Sequence, residues 1–160
     1  TILPGWTNLD SATLPAVDLV VDLEACVPNR IPLADDTVEE ILAAHLLEHI
    51  KTPLPLMEEL HRVARPGALL TVRVPYGSSD DAWEDPTHVR PYFFGSFGYF
   101  SQPYYWRADY GYRGDWRTDL VTLFVPRHAL EGVPYDAIYA RVMSEQNLVG
   151  EMVAELAAVK

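Results

Sequence analysis

Two short apolar segments near the start of the chain each end in an aspartate, and this pattern constrains the fold more than any other feature. The stretch LPGWTNLDSA places a Pro4-Gly5 turn before an apolar run that ends at Asp10. The second run, VDLVVDL over residues 17–23, is apolar and β-branched and carries Asp22 near its end. We predict a buried strand in each segment. In open α/β sheets, side chains at the carboxyl ends of strands face the ligand.

The segment DDTVEEILAAHLLEHI, residues 35–50, fits two interpretations. Its apolar residues fall near helical spacing, and Thr37 could cap a helix. The same residues could also form a short buried strand that ends at His45, followed by a helix that starts near Leu47. The spacing alone favours one helix.

The later segments predict a single α/β domain over residues 1–160. PLPLMEELHRVARPG is typical of a helix that Pro66-Gly67 stops, and a strand follows over residues 68–74. RTDLVTLF predicts a strand and YDAIYARVMSEQN a helix. The closing EMVAELAAVK fits a helix or an edge strand, and helix propensity favours the helix. The order of elements predicts a mostly parallel sheet with an antiparallel edge strand.

Aromatic residues concentrate in one segment, residues 92–116, which we call the aromatic segment. It contains 12 of the 18 Phe, Trp and Tyr residues. We predict that residues 77–116 form a cap insertion over the carboxyl ends of the strands, outside the main core, because loops of this length are usually functional. The rings would cover a ligand, each other, or a second copy of the chain in a homo-oligomer.

The charge balance and the single cysteine restrict the partners and the compartment. Twelve Lys and Arg face 23 Asp and Glu, which gives a net charge of −11 and disfavours a nucleic-acid partner. Cys26 alone excludes an internal disulfide and a cysteine-rich metal site, so we expect a small buried hydrophobe and no metal. One free cysteine suits a reducing compartment, and we expect the cytoplasm. No apolar run approaches the roughly 20 residues of a membrane span.

An ordered series of short motifs runs through residues 3–75. Its members are Gly5-Trp6, Asn8-Leu9-Asp10, Asp18, Asp22-Leu23, Ile31-Pro32, Asp35, Ile41, His45, Leu47-Glu48-His49-Ile50, Glu59, Arg62-Val63 and Pro66-Gly67. The set resembles the class I S-adenosylmethionine-dependent methyltransferases, in particular the small predicted methyltransferases of that family. DPTHVR at residues 85–90 and the closing NLVGEMVAELAAVK are similar to the family as well.

The resemblance implies a Rossmann-like sheet of seven strands and S-adenosylmethionine as the cofactor. It places a strand that ends about at His45, and we adopt that strand against the helical spacing. It assigns Asp10, Asp22, Leu23 and His45 to the cofactor site, with Asp10 on the ribose hydroxyls and Asp22 on the adenine amino group. His45 is also placed to face a substrate.

Each of these assignments has a structural alternative. Asp10 could cap the element that follows it, and Asp22 could be a turn residue. In the family, Glu48 and His49 begin a helix, and we interpret His49 as a capping or packing residue.

Asp85 and His88, in the segment EDPTHVRPY, are the candidate catalytic residues. Their spacing would let the carboxylate orient the imidazole, which could then deprotonate a substrate hydroxyl. Alternatively, Asp85 caps a helix that starts at Pro86. The function implied is methyl transfer to the oxygen or nitrogen of a small-molecule or glycan-type acceptor. The competing hypothesis is an inactive methyltransferase-like protein that serves as an assembly or binding module.

The resemblance also implies a first strand and a glycine-rich loop immediately before Gly5-Trp6, and the printed sequence does not contain them. We interpret this as the loss of about ten upstream residues, because a stable fold does not leave two strand edges in its core unpaired. The alternative is a natural degenerate homologue that no longer binds the cofactor.

Overall fold

The structure is a computed structural model that describes residues 2–26, 29–102 and 110–160. Its strands are β1 (Leu9–Asp10), β2 (Leu19–Val20), β3 (Val38–Ala44), β4 (Ala64–Pro75), β5 (Trp116–Phe124) and β6 (Glu151–Ala158). Its α-helices are α1 (Pro53–Val63), α2 (Asp81–Glu84) and α3 (Tyr135–Ser144). Short 3₁₀ turns cover Leu23–Ala25, Leu47–His49, Ser96–Phe100 and Arg127–Leu130.

The strands form two sheets. β1 and β2 make a parallel pair, and the second sheet has the order β3-β4-β6-β5. β3 and β4 are parallel, whereas β6 is antiparallel to both of its neighbours. The predicted α/β class, with parallel pairing and an antiparallel strand, is confirmed. The antiparallel strand lies one position in from the edge, and β5 forms the edge.

The helix predicted for the closing segment is wrong, because residues 151–158 form strand β6. β6 pairs with β4 on one side and with β5 on the other. Every second residue from Met152 to Ala158 is buried, which is the period of a strand. The Ala, Glu and Leu content favours a helix locally, but pairing on both sides overrides that weak preference.

The strand adopted for the ambiguous segment is confirmed, since β3 ends at Ala44 and His45 follows it directly. Helix α1 also lies where it was predicted. β4 begins earlier than the predicted residue 68, and the pairing with β3 shifts register between Val38 and Glu40. The predicted strand over residues 17–23 shortens to β2, and a 3₁₀ turn follows Asp22.

The aromatic segment crosses from one edge of the sheet to the other. Because β6 is antiparallel to both β4 and β5, those two strands point in the same direction, and their connection must return to the opposite edge. Tyr92 bridges Tyr76 beyond the carboxyl end of β4, and Trp116 begins β5. The Trp116 indole donates to the Met57 carbonyl in α1 at 3.0 Å, so the segment also packs against this helix.

Five rings of the aromatic segment belong to the main core: Tyr92, Phe97, Phe100, Tyr112 and Trp116. The prediction that the segment lies outside the core is therefore wrong for these rings. Phe93, Phe94, Tyr99 and Tyr110 are exposed by 43 to 71%. Tyr104, Tyr105 and Trp106 lie outside the described residues. The cap over a ligand stays a prediction for the exposed rings.

A buried ion pair fastens the loop before β3 to helix α1. Glu59 is 6% exposed, and its Oε1 accepts from the Ile31 amide at 2.8 Å. Arg62 donates to both Glu59 oxygens and to the carbonyls of Ile31 and Leu33. Its remaining ion pair is with Asp35, whose side chain is 67% exposed. Glu59 is thus the acceptor on which the loop and the helix both depend.

We predict that Glu59→Ala lowers the free energy of unfolding by about 2–4 kcal/mol, because it removes the buried carboxylate partner of Arg62 and leaves the Ile31 amide without an acceptor. Asp35→Ala removes the exposed acid of the same arginine and is the matched control, with an expected loss below about 1 kcal/mol. Urea unfolding of the three proteins checks the difference. Equal losses in both variants would contradict the role of Glu59.

Candidate active site

The loops that follow β3 and β4 meet at the carboxyl edge of the four-stranded sheet. The amide of Val89 donates to the carbonyl of Glu48 at 2.8 Å, and the Tyr92 hydroxyl donates to the carbonyl of Leu47 at 3.3 Å. Gly77, just after β4, donates to the carbonyl of Tyr92 at 2.7 Å. These bonds bring residues 45–49 and 85–92 together although about forty positions separate them in the chain.

Six side chains form what we call the polar row: His45, Glu48, His49, Asp85, His88 and Glu151. At its centre, His45 Nδ1 lies 3.3 Å from Glu48 Oε1, and His45 Nε2 lies 3.2 Å from Glu151 Oε1. His45 has a φ of 51°, which few residues with a side chain adopt. This conformation turns the chain sharply after β3 and leaves the ring between the two acids.

Glu151 has a cationic partner, since Arg73 holds it with two bonds of 2.6 Å each. These hydrogen bonds from Arg73 keep the pKa of Glu151 below its usual value, with smaller contributions from the charges of Arg73 and His45. Glu48 differs from Glu151. It is 2% exposed, and neither of its oxygens has a hydrogen bond within the described part of the chain.

The predicted pair of Asp85 and His88 comes together loosely. His88 Nε2 lies 3.8 Å from Asp85 Oδ2, which is longer than a hydrogen bond. Asp85 Oδ1 instead accepts from the Thr87 amide at 2.8 Å and from the Thr87 hydroxyl at 2.6 Å. These bonds lower the pKa of Asp85. Asp85 therefore closes a turn, and the helix considered at Pro86 is absent from this described stretch.

The structure adds Glu48 and His49 to the predicted site residues. The helix expected to begin there is a single 3₁₀ turn, Leu47–His49. The rings of His49 and His88 pack edge to face, with centroids 4.8 Å apart. The two histidine-containing motifs are visible in the sequence, but their spacing does not show that they lie together in the fold.

The predicted cofactor residues Asp10, Asp22 and Leu23 lie on the two-stranded sheet and the turn after it. Asp10 ends β1, and its Oδ1 accepts from the Ala12 amide at 2.8 Å. Asp22 caps the following 3₁₀ turn by accepting from the Glu24 amide at 3.0 Å. Both residues thus have the local turn role that the sequence left open, and each keeps a second oxygen without a partner among the described residues. Leu23 packs partly buried against the core.

A separate cavity of about 1300 Å³ is present, and none of the six polar-row side chains lines it. Its wall includes the start of α1 and the aromatic segment, with Tyr92, Tyr99, Phe100, Tyr110 and Tyr112 as rings and Arg30, Lys51, Arg62 and Arg90 as cations. Arg90 and Lys51 each lie two positions from a histidine of the polar row, and Arg90 Nη2 contacts the Lys51 carbonyl at 3.4 Å. Cys26 lies at the cavity wall but is buried, which raises the pKa of its thiol to about 11. The expectation of a small buried residue is confirmed.

Comparison with known proteins finds a methyltransferase domain over part of the chain. Residues 7–72 match the family model of a methyltransferase domain, and this stretch contains β1 to β3, α1 and most of β4. Over this stretch the chain is similar to a methyltransferase domain. The resemblance drawn from its motifs is therefore confirmed. No curated protein matches the chain significantly.

Solved structures of methyltransferases share the fold over most of this chain. An S-adenosylmethionine-dependent methyltransferase from Mesorhizobium loti aligns with a TM-score of 0.55 and 11% identity, over 93% of this chain and 78% of its own. A protein from Bacillus halodurans, assigned as a methyltransferase, aligns with a TM-score of 0.52 and 14% identity, over 91% of this chain and 73% of its own. The [4+2]-cyclase SpnF aligns with a TM-score of 0.53 and 16% identity, over 90% of this chain and 56% of its own. At these identities the alignments show the fold alone.

No helix in the described ranges is long and apolar enough to cross a membrane.

We predict that the ion pair of Glu151 adds stability only while Glu151 is ionised. Because its pKa in the folded protein is lowered from 4.5, Glu151→Gln should cost about 0.5–1 kcal/mol at neutral pH, as expected of a well-formed ion pair near the surface. This cost is present above the unfolded pKa and disappears as the pH falls through the lower folded pKa. Thermal unfolding between pH 7 and pH 3 measures it.

Glu155→Gln is the matched control, because Glu155 lies on the same strand and has no ion pair in the described structure. A difference between wild type and Glu151→Gln that persists at pH 3 would contradict the prediction.

Proposed function

We propose that this chain binds S-adenosylmethionine and transfers the methyl group to an oxygen or nitrogen of a small-molecule or glycan-type acceptor. The match of residues 7–72 to a methyltransferase domain carries the proposal. The Mesorhizobium loti structure, which is named for its dependence on S-adenosylmethionine, supports the choice of methyl donor. The name of SpnF shows that the fold also serves another reaction, so the reaction has to be argued from the site.

Asp10 is the candidate partner of the ribose hydroxyls. It lies at the carboxyl end of a parallel strand, where ligands of open α/β sheets bind. One oxygen is used in its own turn, and the other is left as an acceptor. Asp22 has the same arrangement and would accept from the adenine amino group, while Leu23 would offer apolar surface beside it. The residues present therefore fit the adenosine end of the cofactor.

S-adenosylmethionine supplies an activated methyl group on a sulfonium, so the protein mainly has to position the acceptor and exclude water. The polar row supplies hydrogen-bonding groups for this at the carboxyl edge. His88 is our candidate for contact with the acceptor, because its side chain is 10% exposed and its Nδ1 has no partner in the described chain. Asp85 acts on His88 only from 3.8 Å, which makes Asp85 a positioning residue.

The aromatic and cationic lining of the cavity supports a glycan-type or similar polar acceptor. Aromatic faces bind the apolar faces of sugar rings, and the wall contains both such rings and exposed cations. Arg30, Lys51 and Arg90 are all exposed at this wall. An acceptor that combines a ring with an acidic group would use both kinds of side chain.

We place this activity in the cytoplasm, because Cys26 is a free and buried cysteine that suits a reducing compartment. We also propose that the exposed rings Phe93 and Phe94 contribute to a homo-oligomer, since aromatic residues are enriched at such contacts. Light scattering of the purified protein tests the second point, and a monomer at all concentrations would remove it.

We predict that Asp10→Asn weakens binding of S-adenosylmethionine by about 10- to 100-fold, because a hydrogen bond to a charged group contributes about 1.5–3 kcal/mol. Calorimetry on the full gene product measures the affinity. Asp119→Asn, which removes an exposed acid on β5, should leave the affinity unchanged. The same affinity in Asp10→Asn and wild type would exclude Asp10 from the site.

Turnover separates an enzyme from a binding module. Incubation with S-adenosylmethionine and a panel of hydroxylated and amino-sugar acceptors should release S-adenosylhomocysteine. With an acidic acceptor, Arg90→Gln should raise KM and leave kcat almost unchanged, because Arg90 contacts the acceptor away from the reacting atom. Arg65→Gln, at the opposite edge, is the control. Cofactor binding without release of product for any acceptor would favour the inactive module.

A further inference from the structure

The buried carboxylate of Glu48 is the least compensated group in the described structure. Its side chain is 3% exposed, and both oxygens are enclosed without a hydrogen bond. An isolated buried carboxylate is costly, so such groups bind a cation or a proton. The nearby His45 is 51% exposed and lies 3.3 Å from one oxygen, in a geometry that does not make a hydrogen bond. Glu48 is therefore a buried acid without a hydrogen-bond donor among the described residues.

Two histidines lie close to this carboxylate. One possible ligand atom from each of Glu48, His49 and His88 lies within 4.8 Å of the others. Ligand atoms around a tetrahedral zinc ion are about 3.4 Å apart, because each bond is about 2.1 Å long. Side-chain rotations that move these ligand atoms by about an ångström would bring them to the zinc spacing.

The hydrogen bonds around His49 leave its other nitrogen free for a ligand role. The Thr87 hydroxyl has one proton and donates it to Asp85 at 2.6 Å. Its contact of 3.0 Å with His49 Nδ1 therefore requires the imidazole to donate from Nδ1. The Thr87 carbonyl, at 3.3 Å, accepts from the same nitrogen. In the neutral tautomer that these bonds select, Nε2 of His49 is the nitrogen that offers a lone pair to a metal ion.

In His88 the two ring nitrogens have the opposite roles from those in His49. Its Nε2 faces the Asp85 carboxylate at 3.8 Å, while its Nδ1 is buried and has no partner in the described chain. A histidine that binds a metal through one nitrogen commonly directs the other toward a carboxylate. Asp85 and Thr87 thus orient both imidazoles from outside the cluster.

We propose that Glu48, His49 and His88 bind a divalent transition-metal ion, with Zn²⁺ as the best match. Two imidazoles and a carboxylate are a common zinc donor set, and imidazole ligands disfavour Mg²⁺ and Ca²⁺. Three protein ligands leave a fourth position open, which an acceptor oxygen or nitrogen would occupy. The ion would neutralise Glu48 and, in place of a direct contact from His88 Nδ1, fix the acceptor atom at the carboxyl edge. Its use in methyl transfer rests on the proposed function, whereas the binding of the ion does not.

The test is a calorimetric titration of Zn²⁺ into untagged protein that has been treated with a chelator. We expect one ion per chain, with a dissociation constant on the order of 1 µM or below. Glu48→Gln and His88→Gln should each weaken binding by more than the roughly 10- to 100-fold effect of an outer residue. His128→Gln, which changes a histidine outside the cluster, should bind as the wild type does. Circular dichroism verifies that each variant is folded.

Co²⁺ in place of Zn²⁺ reports the ligands directly, since a tetrahedral Co²⁺ site with imidazole ligands absorbs visible light. His49→Gln provides an independent variant if Glu48→Gln does not fold. The proposal is overturned by the absence of a stoichiometric ion, or by binding that survives the changes at Glu48, His49 and His88.

Titration of S-adenosylmethionine into the metal-free and the metal-loaded protein separates this proposal from the proposed function. Metal binding without cofactor binding would leave the ion site and remove the methyltransferase. Cofactor binding without metal binding would support the methyltransferase and remove the ion site.

Discussion

Strands β3, β4 and β5 all direct their carboxyl ends to one edge of the four-stranded sheet, and this common direction determines where each connection lies. The loops after β3 and β4 must begin at that edge, where the Val89 to Glu48 hydrogen bond joins them. The chain must then return to the opposite edge before β5 can start. The aromatic segment makes that return, and it buries five rings because it covers α1 and the sheet as a crossover helix would.

Much of the fold followed from local patterns, and the exceptions have physical causes. Strand β3 reads as a helix by spacing, and only the comparison with the family motifs corrected that reading. For the segment of strand β6 the helix was preferred to the edge strand because Ala, Glu and Leu favour helices, although alternate residues of EMVAELAA are buried as a strand requires. Local helix propensity contributes little free energy compared with two ladders of backbone hydrogen bonds. A single sequence does not show which neighbours will provide those ladders.

Individual residues of the site could be predicted from the sequence, but their arrangement in space could not. Asp10, His45, Asp85 and His88 were recognised as separate residues at strand ends or in polar motifs. The partnership of Glu48 and His49 with His88 depends on two loops docking, and no periodicity encodes such docking. Asp85 was expected to pair with His88, but the nearer Thr87 occupies its carboxylate. Short-range turn bonds of this kind compete with longer contacts and usually form first in the chain.

The charges at the carboxyl edge are unequal, and this inequality connects the two proposals. Arg73 neutralises Glu151, and His45, held in a strained conformation, lies between Glu151 and Glu48. No cationic side chain of the described residues forms a close ion pair with Glu48 apart from this histidine. The chain as a whole carries a net charge of −11, so the wider field does not supply the missing positive charge. The proposed metal ion would supply that charge and would hold the acceptor of the proposed methyl transfer at the same edge. The burial that makes the unpaired Glu48 carboxylate costly is therefore the same feature that favours the ion proposed for it.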